Sequence, residues 1–271
     1  MAHAHDDEPD EVADPSRHDD APNVPPVRGL RRRGIYLLPN LFTTGVLFCG
    51  FFAVVQAING RFDVAAIAVY VAMVLDGMDG RVARWTNTQS EFGAQYDSIA
   101  DMVAFGAAPA LIAYEWALKD LGTAGWIGAF IYCAAAGIRL ARFNANIGAV
   151  DKRYFQGMPS PSGAAVMTGF VWAFTELGLA PDESYWIAGL AWVVAVFAGV
   201  TMVLNVPFWS FKEVNWRKRV PLWVILACVI GFAIVSFKPP VILFLLFFGY
   251  SLSGYVMWAM GHRVRPVLPD D

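Results

Sequence analysis

Four aspartates stand close together in a chain that keeps most of its charge outside its apolar stretches. Asp76 and Asp79 are spaced i, i+3, and Asp97 and Asp101 are spaced i, i+4. On helices, each pair projects from one face. Four ionised carboxylates cannot share a low-dielectric site, because each charge penalises the next and burial penalises them all. Two divalent cations would cancel that charge, and hard oxygen ligands select Mg2+ or Mn2+. A pair of such ions suits phosphoryl-type displacement, with one end of the clamp on the attacked phosphate and the other on the leaving oxygen. The neighbours fit this chemistry. Gly77, Gly80 and Gly93 present no Cβ to an approaching phosphate or base, and Arg84 can pair with a phosphate. Arg81 lacks such company and reads as a headgroup anchor, and Glu91 reads as an acid at a helix start.

The elements that must hold these residues follow from composition. The 271 residues are 57% hydrophobic and 16% charged, with 20 Phe and 10 Trp, whereas a soluble domain is about 45–50% apolar and about 25% charged. That excludes a disordered or fibrous chain and argues against a soluble enzyme. The expected fold is all-α, a polytopic membrane helix bundle of about eight transmembrane helices. The apolar stretches run over 35–58, 64–85, 94–118, 124–146, 160–179, 184–205, 219–237 and 239–260, separated by short polar or proline-bearing breaks. No internal repeat links them. Cys49, Cys133 and Cys228 fall inside these stretches, without disulfide or zinc spacing.

Eight spans put both termini on one side. Seventeen of the 20 Lys and Arg residues then share that side, while Arg61, Lys119 and Lys238 lie opposite. The bias predicts cytoplasmic termini and a cytoplasmic aspartate cluster. The short connection between spans two and three makes them antiparallel neighbours, so the four carboxylates converge at one end of the bundle. Glu115 and Glu176 fall near the opposite ends of their spans and are assigned to the interface. Trp85, Trp172, Trp209, Trp216 and Trp258 read as interfacial aromatics or lipid-facing bulk.

The formal charge of −3 is an average over unlike parts. Residues 1–27 carry eight acidic side chains, one arginine and no aromatic, a composition that cannot order itself by burial. The division expected is an acidic disordered tail over 1–27, a membrane domain over 28–265 and a short C-terminal tail over 266–271. Beyond residue 27 the chain is net basic, which suits anionic headgroups and a pyrophosphate-bearing substrate.

The segment from Asp79 to Asp101 matches the pattern D-G-x2-A-R-x8-G-x3-D-x3-D: Asp79-Gly80, Ala83-Arg84, Gly93, Asp97, Asp101. It resembles the signature of the CDP-alcohol phosphotransferase family, integral membrane enzymes of phospholipid synthesis. Asp76 fits the extended form of that signature. The resemblance implies attack of an alcohol on a CDP-linked lipid with release of CMP. It implies Asp76, Asp79, Asp97 and Asp101 as ligands of two divalent metals and Asp101 also as general base. Gly80, Arg84, Ser90 and Gly93 would contact the CDP-lipid, here CDP-diacylglycerol. A Pro-Asn-x-x-Thr opening, here Pro39-Asn40 to Thr43, occurs in the family near the nucleotide, which adds Asn40. Pro39 is expected at the first turn of span one.

Two further strings, Arg139-Leu140-Ala141-Arg142-Phe143-Asn144 and Gly157-Met158-Pro159-Ser160-Pro161, resemble the bacterial and archaeal phosphatidylserine synthases within that family, as does Phe105-Gly106-Ala107-Ala108-Pro109-Ala110. They imply L-serine as acceptor. Arg139 and Arg142, at i, i+3 on a helix end, suit a serine carboxylate, with Asn144 as a hydrogen-bonding partner. The resemblance covers about residues 34–175 and further implies a homodimer in the lipid bilayer, in a bacterial inner membrane, with no nucleic-acid partner. Other acceptors keep the same donor chemistry: glycerol 3-phosphate, inositol phosphate or choline. A cation transporter would also place carboxylates inside a membrane, but such sites usually lie near the midplane on broken helices. The acidic tail has no part in this chemistry. Deleting residues 1–27 is expected to leave CMP release from CDP-diacylglycerol unchanged; an inserted but inactive truncation would contradict that.

Overall fold

The computed structural model describes residues 29–86, 90–145, 154–179, 181, 185–209 and 222–261. The acidic tail over 1–27, the tail over 266–271, Lys152 and Arg153, the Arg217–Arg219 cluster and the side chain of Arg84 lie outside what is described. Helices dominate: α1 (Gly29–Ile58), α2 (Phe62–Thr86), α3 (Glu91–Asp101), α4 (Ala108–Trp116), α5 (Thr123–Ala145), α6 (Ser160–Glu176), α7 (Tyr185–Val203), α8 (Leu222–Phe237) and α9 (Pro239–Ala259). A π turn over Met102–Ala107 joins α3 to α4, so the described helices form eight rods, one per expected apolar stretch. Among the described residues, four stretches are long and apolar enough to cross a membrane: Asn40–Ile58, Thr123–Ala145, Tyr185–Val203 and Pro239–Ala259. The remaining rods fall short for local reasons. The end of α2 carries Asp76, Asp79, Arg81 and Arg84, the third rod is segmented, and α6 and α8 have 17 and 16 residues.

Rods α1 and α2 pack along each other, α5 packs on α7, and α6 on both α2 and α9. Alanine dominates their contact lines: Ala53, Ala57, Ala65, Ala72, Ala104, Ala136 and Ala164 are all buried. In lipid there is no hydrophobic force between helices, so close backbone approach through small side chains supplies the association. At the far end of the bundle, Trp116, Phe170, Phe174 and Phe244 fill the gap between α4, α6 and α9 with edge-to-face and tilted ring contacts. Leu41, Phe48, Phe51, Phe130, Val193, Leu245 and their like point outward, as lipid-facing residues do. Glu115, expected at the interface, pairs with Lys119 at 3.7 Å.

Two features depart from expectation. Helix α1 starts at Gly29, ten residues ahead of Pro39, so Pro39 lies inside the helix instead of at its first turn. A proline removes one backbone hydrogen bond, a loss a helix tolerates where the freed carbonyl finds another donor. The second is a two-stranded antiparallel ribbon, β1 (Tyr154–Gln156) with β2 (Pro207–Trp209), pairing Tyr154 with Trp209 and Gln156 with Pro207. Strands of three residues leave too short a pattern to read.

The ribbon ends in a glycine turn that opens α6. Gly157 has φ +78°, donates to Val206 O at 2.9 Å, and would place a Cβ 2.3 Å from Met202 O. Met158 N then donates to Thr201 O at 3.1 Å. A Gly157→Ala protein must both hold a left-handed backbone and push α7 away, which costs at least about 1–3 kcal/mol. It is expected to show a lower midpoint of thermal unfolding in detergent micelles than the unmodified protein.

Candidate active site

Helices α2 and α3 deliver the four aspartates to one place, as their spacing requires. Asp76 and Asp79 lie in the last three turns of α2, and Asp97 and Asp101 in the last two of α3. Across the helices, Asp76 meets Asp101 and Asp79 meets Asp97, side chain to side chain. Asp76, Asp97 and Asp101 each offer a carboxylate oxygen within 4.8 Å of the others. Asp79 stands outside this trio, and its Oδ2 accepts a buried hydrogen bond from Thr43 Oγ1 at 3.1 Å. Thr43 is 4% exposed and Asp79 6%. Helix α1 therefore orients one member of the quartet from behind.

Asp97 Oδ1 and Asp101 Oδ1 are buried and have no hydrogen-bond partner among the described residues. A buried acceptor without a donor is costly. In a cluster of acceptors only a cation or a proton can satisfy it. Carboxylate oxygens alone, with no sulfur or imidazole, make a hard-donor set fit for Mg2+ or Mn2+. The cluster can hold a metal on its geometry and on its donor chemistry.

The remaining expected residues lie around this cluster. Ser90 caps α3, its Oγ accepting from Gly93 N at 3.0 Å. A Cβ on Gly93 would lie 3.1 Å from Ser90 Oγ and 3.5 Å from Asn40 Oδ1, so Asn40, Ser90 and Gly93 share one corner. Thr44, next to Thr43, reaches Tyr96 OH at 3.0 Å and ties α1 to α3 there. A Cβ on Gly77 would meet open space, and Gly80 is exposed; both leave room beside the carboxylates.

From α5, Arg139 and Arg142 go to different tasks. Arg139 is half-buried, its charge acts on Asp101 and Asp76, and its Nη1 donates to Ser160 Oγ at 2.7 Å. Arg142 spends its guanidinium on the chain: Nη1 donates to Val203 O at 3.0 Å and Asn205 Oδ1 at 2.9 Å, and Nη2 to Gln156 O at 3.0 Å. That clamp fixes the ribbon and the end of α7 against α5. Asn144 Nδ2 donates to Ser98 Oγ at 2.9 Å, which places it over α3 between Asp97 and Asp101. Ser98 and Ser160 are the site residues that sequence reasoning passed over. Each had a signal, Ser98 beside Asp97 and Ser160 inside the Gly-Met-Pro-Ser-Pro string.

Comparison with known proteins identifies the family. Residues 36–204 match the model of the CDP-alcohol phosphatidyltransferase family. The chain is 34% identical over 229 residues to the CDP-diacylglycerol–serine O-phosphatidyltransferase of Helicobacter pylori, covering 83% of this chain and 92% of that protein. It is 33% identical over 193 residues to the enzyme of the same name from Mycobacterium tuberculosis, covering 69% and 65%. Among solved structures, the Mycobacterium tuberculosis phosphatidylinositol phosphate synthase with CDP-DAG bound aligns over 72% of this chain and 96% of its own, at 18% identity and a TM-score of 0.46. The family match alone takes in more than half of the sequence and contains the whole aspartate quartet, and the chain belongs to the CDP-alcohol phosphatidyltransferase family of enzymes.

Proposed function

We propose that the protein transfers the phosphatidyl group of CDP-diacylglycerol to L-serine, giving phosphatidylserine and CMP. One observation carries the chemistry: two buried carboxylate oxygens without donors, on Asp97 and Asp101, inside a cluster of hard ligands. The acceptor is supported by the relatives of that name and by Arg139, the cation whose field reaches Asp101 and Asp76.

In this reading Asp76, Asp79, Asp97 and Asp101 hold two divalent cations, Mg2+ or Mn2+. When bound, those ions neutralise the quartet and stabilise negative charge on the transferring phosphate and on the CMP oxygen. The protein's own groups do the rest. Asn40, Ser90, Gly93 and Gly80 receive the nucleotide and pyrophosphate at the meeting point of α1, α2 and α3, and Arg84 pairs with a phosphate. Arg139 orients the serine carboxylate, and Asn144 lies over the same helix face. Asp101 takes the proton from the serine hydroxyl as its oxygen attacks the phosphorus attached to the diacylglycerol. The bond between that phosphorus and the bridging oxygen breaks, and CMP leaves with the electron pair. An alcohol is a weak nucleophile near neutral pH, so an oriented base is what the step lacks in water. Arg142 acts as a clamp on the acceptor-side loop rather than as a ligand of serine. The same reading puts the site at the cytoplasmic face of a bacterial inner membrane, and the Lys and Arg bias supports the cytoplasmic side.

Two measurements test it. In an acceptor screen with Mg2+ and Mn2+ compared, CMP release from CDP-diacylglycerol is expected to require L-serine. Release that depends instead on glycerol 3-phosphate, inositol phosphate or choline would move the protein to another branch of the family. Asp101→Asn is expected to lower turnover by at least about a hundredfold while CDP-diacylglycerol still binds; undiminished CMP release would remove Asp101 as the base.

A further inference from the structure

The π turn over Met102–Ala107 begins at the residue after Asp101. Its cause can be read from the chain. Pro109 has no amide hydrogen, and in an unbroken α-helix its ring would collide with the carbonyl four residues earlier, which is that of Phe105. The turn is widened directly ahead of the proline: Ala108 N donates five residues back, to Val103 O. Phe105 O, deprived of its ordinary amide partner, takes a side chain instead. Tyr132 of α5, fully buried, donates its hydroxyl to Phe105 O at 3.0 Å. The turn is also gripped by α1, where a Cβ on Gly50 would lie 2.7 Å from Ala104 Cα.

One extra residue in a turn rotates everything after it by about 100° relative to a continuous α-helix. A single rod can thereby aim Asp97 and Asp101 at the carboxylates of α2 and, from the next turn on, bury Ala108, Ile112 and Ala113 in the core. The core anchors α4, and the π turn transmits that anchor to α3 at a fixed angle.

We propose that Tyr132 is a positioning residue for Asp101: its hydroxyl stabilises the π turn imposed by Pro109, and the turn sets the angle at which Asp97 and Asp101 meet Asp76 and Asp79. The inference rests on the reading of these aspartates as the metal and base site. It assigns a role to the Phe105–Ala110 string and to a tyrosine that touches no substrate.

The test uses the full-length protein in detergent and four substitutions or combinations: Tyr132→Phe, Pro109→Ala, the two together, and Met167→Leu as a packing control elsewhere in the core. Tyr132→Phe is expected to lower kcat for CMP release about tenfold or more, the scale of a small misplacement of reacting groups. KM for CDP-diacylglycerol should stay put, and the Mn2+ concentration giving half-maximal thermal stabilisation should rise. Pro109→Ala restores an amide to Phe105 O and lets the turn relax toward α geometry. It should therefore keep or raise Tm while losing kcat, so the proposal remains testable even if Tyr132→Phe folds poorly. In the double variant Tm should recover and kcat should not. Met167→Leu should lower Tm alone. Full kcat in Tyr132→Phe or Pro109→Ala, or recovery of kcat together with Tm in the double variant, would reduce the tyrosine to a structural role and overturn the proposal. Absence of CMP release in the unmodified protein would instead count against the proposed reaction, while the Mn2+ stabilisation series would still report on Tyr132.

Discussion

Repulsion among four carboxylates held where water is scarce is the constraint on which the rest of this structure depends. At close range in a low-dielectric medium such charges cost far more than any packing contact returns. The bundle does not avoid the conflict; it concentrates it. Two helices each bring a pair of aspartates to one end, and α1 and α5 close around them with Thr43 and Arg139. The elements are held by contacts the repulsion does not touch: alanine seams, the aromatic cluster around Phe170, and the Tyr70 hydroxyl on Ala165 O at 3.0 Å. The apolar bundle supplies the rigidity, and the aspartates draw on it to stay together.

The support around the quartet is uneven, and the unevenness is informative. The carboxylate of Asp79 is tied to α1 by Thr43 and is nearly closed off. Those of Asp97 and Asp101 keep an oxygen each without a donor among the described residues. Helix α2 therefore offers a carboxylate already oriented, and α3 offers carboxylates with an acceptor oxygen each left open. Under the proposed reaction such a site would take up cations, a nucleotide lipid and an amino acid and then release CMP, which needs that open capacity on one side and a fixed reference on the other.

The quartet was legible because its signal is arithmetic. Charges at i, i+3 and i, i+4 inside apolar helices have few explanations, and the short link between α2 and α3 forces the pairs together. The eight rods were legible for the same reason, since apolar length needs no knowledge of partners. What escaped was everything set by tertiary context. Arg139 and Arg142 have the same spacing as Asp76 and Asp79, yet one reaches toward the carboxylates and the other clamps Val203 O, Asn205 and Gln156 O. Spacing gives the face of the helix; it does not say what stands opposite, and here the ribbon of β1 and β2 stands there. That ribbon joins residues more than fifty apart through strands of three, too short for any periodicity to announce.

Proline shows where the boundary between the two kinds of information runs. Pro39 and Pro109 each remove a helical hydrogen bond, and each invites the same local inference, a helix start or a break. In the structure Pro39 lies inside α1, and Pro109 is the second residue of α4, in a rod that the π turn carries on from α3. For Pro109 the reason is visible: Tyr132 donates to Phe105 O, the carbonyl that Pro109 leaves without an amide. The missing donor comes from a helix 23 residues further along the chain, so the tolerance of the proline is a property of the packed bundle. A membrane interior makes this more acute than water would, because a carbonyl freed there has no solvent to turn to. The cost of the unsatisfied group in effect selects for a partner, and the partner then holds a wide turn in place directly after Asp101. A local flaw in the helix thus becomes a fixed angle at the site.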